Sequence, residues 1–124
     1  VCDQSYPFWE LILADATEDD SVEQALELLW AEEDIRDNRD KILYHRLSEN
    51  KGISENTNEA IRLSSAEYIG LLDHDDILTP DALYEMAAEI RRVGEQDVSL
   101  QIIYSDEDKC DSEEIRYYEE IFRN

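Results

Sequence analysis

Acidic residues follow apolar segments of the chain at the points where those segments end. Asp15 follows residues 9–14, and the sequence Asp-His-Asp-Asp at 73–76 follows residues 68–72. A third acidic run, residues 106–108, follows residues 100–104. The carboxyl ends of parallel strands meet at one edge of a sheet, where ligands bind in open α/β folds. The spacing therefore predicts an acidic site along one rim.

Asp73 and Asp75 are the candidate metal ligands. Carboxylate oxygens suit Mg²⁺ or Mn²⁺, which usually keep phosphate and water as further ligands. If the backbone stays extended past Leu72, both side chains project to the same side and can share one cation. The alternative is an acidic cluster that stabilises the N-terminus of the following helix through its dipole. Spacing alone does not separate the two hypotheses.

Two further positions are candidates for nucleotide contacts. Asp15 can accept a hydrogen bond from a base N–H or a ribose hydroxyl, although a simple turn aspartate is the commoner explanation. Asn58 offers an amide in a segment that turns at Gly52 and enters a helix, where anions can bind. The alternative there is an ordinary helix start capped by Ser54, which spacing alone favours.

The rest of the chain alternates strands with helices. Strands are predicted at residues 9–14, 42–47, 68–72 and 100–104. A first helix is predicted from about residue 21 to 31, with Asp20 or Ser21 as N-cap, and a second from Ser54 to about residue 66. A third begins at Thr79 and Pro80, and a weaker one is predicted over residues 113–124. This order predicts a three-layer α/β/α fold with a mostly parallel sheet. With no linker, residues 1–124 are expected to form a single domain.

Charge narrows the classes of partner. The chain has 33 acidic and 11 basic residues, a formal net charge of −22. Binding to nucleic acid or to an anionic membrane surface needs a basic face, so neither is expected as a partner of this chain. An anionic substrate would need a divalent cation or a local basic group to offset repulsion.

Several ordered motifs resemble those of family 2 glycosyltransferases of the GT-A fold, above all bacterial members that build surface polysaccharide, rhamnan or O-antigen chains. The motifs are Tyr-Pro-Phe-Trp-Glu-Leu-Ile-Leu-Ala-Asp at 6–15, Asn-Lys-Gly-Ile-Ser at 50–54 with Asn58, Glu-Tyr-Ile-Gly-Leu-Leu-Asp-His-Asp-Asp at 67–76, Thr-Pro-Asp-Ala-Leu at 79–83 and Ile-Tyr-Ser-Asp-Glu-Asp-Lys at 103–109.

The resemblance implies a role for each candidate. Asp15 would contact the base, typically uracil or thymine, and residues 52–58 with Asn58 would line the nucleotide pocket. Asp73 would contact the ribose, and Asp73 with Asp75 would hold Mn²⁺ or Mg²⁺ against the diphosphate, extended by Asp76. The implied reaction moves a sugar from a UDP- or dTDP-linked donor to a hydroxyl of a saccharide or lipid-linked acceptor, with inversion.

The sequence also departs from the family. The family's first strand precedes Val1 and lies between the strands expected at 9–14 and 68–72. The usual Asp-Asp-Gly-Ser after the first of these is Asp-Ala-Thr-Glu at 15–18. The acceptor half, which supplies the general base, follows Asn124 in the family, so no catalytic base is assigned. Asp106 and Asp108 are candidates for a role at the site's edge and not for the base.

These departures predict a donor-site fragment that is inactive alone. Its location is expected to be cytoplasmic, at the inner membrane face in a longer parent protein. Two other functions stay open: an interaction module that self-associates through exposed sheet edges, and a generic acidic cation-binding domain.

Overall fold

A computed structural model of the chain describes residues 1–96, 102–105, 109–110 and 116–118. By internal contacts the chain divides into two compact units, Val1–Glu85 and Met86–Asn124. The first unit contains the strands and helices that carry the candidate residues. No helix in the described parts has the length and apolar character needed to cross a membrane.

The first unit is built on two parallel strands, β1 (Leu11–Asp15) and β2 (Ile42–Arg46). Their register runs from Leu11 opposite Ile42 to Asp15 opposite Arg46. Parallel strands need a crossover connection, and α1 (Ser21–Leu29), α2 (Glu33–Arg36) and a 3-10 turn (Arg39–Lys41) supply it. The predicted α/β class with parallel strands is confirmed, as are the first two strands and the first helix.

Helix α1 begins without the side-chain cap that the sequence suggested. Asp20 occupies the N-cap position but its side chain makes no capping hydrogen bond. The carboxylate of Asp19 instead accepts from the Ser21 amide at 3.0 Å. Among the described residues Leu26, on α1, is the one buried apolar side chain, at 7% exposure.

Helix α3 (Ile53–Leu63) packs against β1 and begins directly after Gly52. Gly52 has φ of 88°, a backbone conformation that other residues adopt only with strain. Ser54 therefore lies inside the helix, and the prediction that it is the capping residue is wrong. The backbone at Gly52 sets the start of this helix.

Helix α4 (Ala82–Gly94) starts two residues later than Pro80, the predicted first position. The Ala82 amide donates to the Thr79 carbonyl at 3.0 Å, which forms a turn before the helix. Gln4 supplies the capping contact from far away in the sequence: its Oε1 accepts from the Leu83 amide at 2.9 Å, and its Nε2 donates to the Thr79 carbonyl at 2.7 Å.

The remaining strand predictions fail in the described residues. Residues 68–72 and 102–104 form no strand, because a strand needs a lateral backbone partner and β1 and β2 pair only with each other there. Arg116–Tyr118 (β4) pairs antiparallel with Lys109–Cys110 (β3), so the predicted C-terminal helix is wrong at those residues. Residues 100–101 and the acidic run with Asp106 and Asp108 lie outside the described residues.

Glu10, just before β1, ties the segment after α3 to the strand. Its carboxylate accepts from Ser64 Oγ at 2.6 Å, from the Ser65 amide at 2.7 Å and Ser65 Oγ at 3.0 Å, and from the Ala66 amide at 3.1 Å. The hydrogen bond from Ser64, followed by that from the Ser65 amide, lowers the pKa of Glu10. The ionised carboxylate therefore stabilises this part of the fold.

We expect Glu10→Gln to lower the free energy of unfolding by about 1 kcal/mol, because charge-assisted hydrogen bonds to an ionised acceptor are lost. Urea denaturation at neutral pH measures the difference. Since the pKa of Glu10 is lowered from 4.5, the wild-type advantage is complete above pH 4.5 and disappears as pH falls through the lowered pKa. Glu33→Gln, at an 85% exposed carboxylate paired with Arg36, is the control. An equal loss in both variants contradicts the special role of Glu10.

Candidate functional site

A polar group of side chains gathers at the carboxyl ends of β1 and β2. We call Asp15, Thr17, Tyr44 and Arg46 the Asp15 cluster. Side chains alternate along a strand, so residues 13 and 15 of β1 share a face with residues 44 and 46 of β2. Asp15 is 5% exposed; Thr17 and Tyr44 donate hydrogen bonds to its carboxylate, and the charge of Arg46 acts on it.

Both oxygens of Asp15 accept hydrogen bonds. Oδ1 accepts from the Thr17 amide at 2.8 Å and from Thr17 Oγ1 at 2.7 Å. Oδ2 accepts from the Tyr44 hydroxyl at 2.7 Å. The Thr17 contacts form the turn that was the alternative explanation for this aspartate, and the Tyr44 contact adds a partner from the neighbouring strand.

These donors keep Asp15 ionised in spite of its burial. Burial alone raises the pKa of a carboxyl group, but the hydrogen bonds from Thr17 and Tyr44, with the positive charge of Arg46, outweigh it and lower the pKa of Asp15. The same hydrogen bond raises the pKa of Tyr44 to about 12. At neutral pH, Tyr44 is therefore a hydrogen-bond donor and Asp15 an acceptor.

Arg46 holds the loop of residues 17–20 beside the cluster. Its guanidinium contacts the Asp20 carboxylate and the Asp19 carbonyl, and reaches the Thr17 carbonyl at 3.5 Å. The hydrogen bond to Asp20 raises the pKa of Arg46. This explains why Asp20 does not cap α1: its carboxylate faces β2 instead.

The segment leading into α3 is held by a pair of asparagines. Asn50 Oδ1 accepts from the Gly52 amide and from Asn56 Nδ2, each at 3.0 Å, and Asn56 Oδ1 accepts from the Lys51 amide at 3.2 Å. Asn58 is exposed on α3. A shallow hollow of about 170 Å³ lies alongside, smaller than the roughly 300–1,000 Å³ that encloses a whole ligand; it is lined by His45, Leu47, Ser48, Glu49, Lys51, Asn56 and Glu59.

The Asp-His-Asp-Asp sequence forms a turn. The Asp76 amide donates to the Asp73 carbonyl at 3.2 Å, and residues 73–76 are all exposed. The backbone therefore does not stay extended past Leu72, which was the condition for both side chains to project to the same side. The two-residue spacing of Asp73 and Asp75 does not by itself put their side chains on one side.

The candidate residues named from the sequence do not contact one another directly in the described part of the chain. In the described part of the chain, no side-chain hydrogen bond or ion pair links Asp15, Asn58, Asp73 and Asp75 to one another. No group of three or more His, Cys, Asp or Glu side chains there is arranged to hold a metal ion. Carboxylate oxygens such as those of Asp73 and Asp75 are the ligand type that hard divalent cations take together with phosphate and water.

Tyr44, Arg46 and Asn56 were missed by sequence reasoning. For Tyr44 and Arg46 the signal was their alternate spacing on β2, but only the register with β1 shows that they reach Asp15. For Asn56 the signal was the second asparagine six residues after Asn50, across the turn at Gly52.

The whole chain can be compared with known proteins. The family model for glycosyl transferase family 2 matches residues 1–120. The chain belongs to that family. Its fold class is therefore GT-A, of which β1 and β2 form a small parallel part.

The chain is also similar to individual proteins of several bacteria. The chain is 38% identical over 107 residues to the uncharacterized protein y4gI of Sinorhizobium fredii (strain NBRC 101917 / NGR234), covering 86% of the chain and 11% of that protein. It is 42% identical over 64 residues to chondroitin synthase of Escherichia coli, covering 52% and 9%. It is 36% identical over 83 residues to TuaG of Bacillus subtilis (strain 168), a glycosyltransferase assigned to teichuronic acid biosynthesis, covering 67% and 31%.

The chain thus spans less than a third of the length of each of these relatives. No solved structure matches it significantly.

Proposed function

We propose that this glycosyltransferase chain binds the nucleoside-diphosphate donor for sugar transfer in polysaccharide synthesis. The observation that carries the proposal is the ionised, covered carboxylate of Asp15 at the end of a parallel strand, in a chain that the family model matches over residues 1–120. The donor would be UDP- or dTDP-linked, and the acceptor a saccharide or a lipid-linked saccharide. The inner face of the membrane, in the cytoplasm, is the location that family membership suggests.

Each candidate residue has a chemical task in this proposal. Asp15 would accept a hydrogen bond from the base, and Asn58 would offer its amide to the nucleotide. Asp73 and Asp75 would hold Mn²⁺ or Mg²⁺, which would neutralise the diphosphate and stabilise it as a leaving group. A cation is needed because a chain of net charge −22 repels an anionic donor.

Inversion would follow from direct displacement at the anomeric carbon. The acceptor hydroxyl would attack from the face opposite the departing diphosphate, while a carboxylate general base removes its proton. We assign no residue of this chain to that base.

We expect Mn²⁺ together with UDP or dTDP to raise the melting temperature of the chain. Ligand at ten times its dissociation constant contributes about 1.4 kcal/mol, which corresponds to a shift of several degrees. Asp75→Ala should abolish the shift because it removes a metal ligand. Asp3→Ala, at an exposed aspartate outside the site, should keep it.

Differential scanning fluorimetry of the three proteins, with each ligand alone and combined, makes the measurement. Folded wild-type protein that shows no shift with either nucleotide contradicts the donor site. A shift with Mn²⁺ that nucleotide does not increase favours the generic cation-binding domain instead.

We also expect no sugar transfer from this chain alone. It spans 9% of chondroitin synthase and 31% of TuaG, and the general base is not assigned within it. Release of UDP or dTDP from a panel of nucleotide sugars, with and without saccharide acceptors, measures turnover. Sustained, acceptor-dependent release would show that the base lies within residues 1–124.

One observation favours a second function, self-association. In the described part of the chain β1 pairs with β2 alone, which leaves its other edge without a strand. The apolar side chains of Tyr68, Ile69, Leu71 and Leu72 are also exposed, by 42%, 48%, 75% and 41%. Free strand edges and apolar segments of this kind pair readily with another chain.

If the chain self-associates, we expect the dimer fraction to rise with salt, because screening weakens the repulsion between two acidic chains. Sedimentation velocity across protein and salt concentrations measures that fraction. Leu71→Lys should reduce it, whereas Leu28→Lys, equally exposed at 75% on α1, should not. A monomer at every concentration and salt level rules out this function.

A further inference from the structure

We propose that Tyr44 is a positioning residue that, with Thr17, makes Asp15 selective for a base edge with one ring N–H and no second donor beside it, as in uracil or thymine. This inference rests on the proposed nucleotide site, in which Asp15 contacts the base. It adds to that site a residue from β2 and a physical reason for base choice.

The argument begins with the acceptor positions of the carboxylate. An ionised carboxylate has about four lone-pair positions, two on each oxygen. Thr17 donates twice to Oδ1, and Tyr44 donates once to Oδ2 at 2.7 Å. Among the contacts that the described residues make, one position therefore stays open, on Oδ2. Asp15 is 5% exposed, so the proposal requires the base to meet that position through the small exposed part of the residue.

A single open acceptor position distinguishes between bases. Uracil and thymine present one ring N–H, at N3, which one acceptor satisfies. Guanine presents two adjacent donors, N1–H and the N2 amino group, and the pair is best matched by both oxygens of a free carboxylate. Cytosine and adenine each present an amino donor beside an unprotonated ring nitrogen, and the lone pair of that nitrogen is repelled by an ionised carboxylate, which has no proton to donate. The arrangement therefore favours the uracil or thymine edge.

Tyr44 also fixes where the open position points. Its phenol comes from β2, opposite Leu13 in the register, and reaches diagonally to Asp15. Because both strands are hydrogen-bonded to each other, the hydroxyl is held in place before any ligand arrives. A base N–H then meets an acceptor that is already oriented, which reduces the ordering cost of binding.

The charges around Asp15 decide how binding depends on pH. Arg46 on β2 favours its ionised form, whereas the loop residue Asp19 is a like charge close enough to interact with it. Asp20 pairs with Arg46, and Glu23 on α1 interacts with Tyr44. Only ionised Asp15 accepts the base N–H, so uridine affinity is lost as pH falls through the Asp15 pKa. Loss of the Tyr44 donor raises that pKa and moves the loss to higher pH.

The experiment measures binding of UDP and GDP, each with Mn²⁺, by calorimetry across pH on the chain and its variants. We expect Tyr44→Phe to weaken UDP binding about three- to tenfold, the equivalent of one hydrogen bond. The acid midpoint of UDP binding should also move to higher pH, a change that a purely structural role would not produce. Tyr84→Phe, at a tyrosine 54% exposed on α4, should bind like wild type.

A second variant keeps the test informative if Tyr44→Phe does not fold. Thr17→Val removes one donor to Oδ1 and reopens a position on that oxygen, so the preference for UDP over GDP should fall several-fold. Unchanged affinity and acid midpoint in Tyr44→Phe, or an unchanged preference in Thr17→Val, overturns the inference.

Asp15→Asn separates this inference from the proposed function. If Asp15→Asn abolishes UDP binding while the Tyr44 and Thr17 variants behave like wild type, the donor site stands and the inference fails. If wild-type protein does not bind UDP, both fail.

Discussion

The parallel register between β1 and β2 is the constraint on which the candidate site depends. It sets Asp15 level with Arg46 and places Tyr44 two residues earlier on the same face. A slip of one residue would turn Tyr44 and Arg46 to the opposite face and leave Asp15 without two of its partners. A covered carboxylate without those partners would lose the groups that oppose the effect of burial on its pKa. Register and protonation state are therefore linked at this position.

Electrostatics explain why a chain of this composition would need a cation for its function. The net charge of −22 opposes binding of a diphosphate, and Arg46, the basic residue whose charge acts on Asp15, is occupied by the loop of residues 17–20. The positive charge that a phosphate requires must come from elsewhere. In the proposed function the exposed carboxylates of Asp73, Asp75 and Asp76 would serve that purpose through a hard divalent cation, which prefers oxygen ligands. The acidic surface repels the diphosphate, and a cation at the proposed metal site would offset that repulsion.

Hydrogen bonds and cation–π contacts between separate segments stabilise the first unit. Glu10 ties the segment after α3 to the start of β1, and Gln4 holds the start of α4. Arg39 lies over Trp30 at 4.4 Å and Lys41 over Trp9 at 4.8 Å, which secures the 3-10 turn before β2. Leu26 is the one buried apolar side chain that the described residues contain. With so little apolar burial, these contacts and the strand pairing carry a larger share of stability than in a well-packed domain.

The amino-acid sequence was sufficient for the features that depend on local patterns. Apolar runs predicted β1 and β2, helical spacing predicted α1, α3 and α4, and ordered motifs predicted the family that the comparison confirmed. The strand predicted at residues 68–72 does not form, because a strand requires a partner that composition does not reveal. The partners of Asp15 were equally hidden: Tyr44 and Arg46 are 29 and 31 residues away, and only strand pairing brings them together. Chemistry-bearing residue types are local properties of a sequence, whereas their protonation and orientation arise from contacts between distant segments.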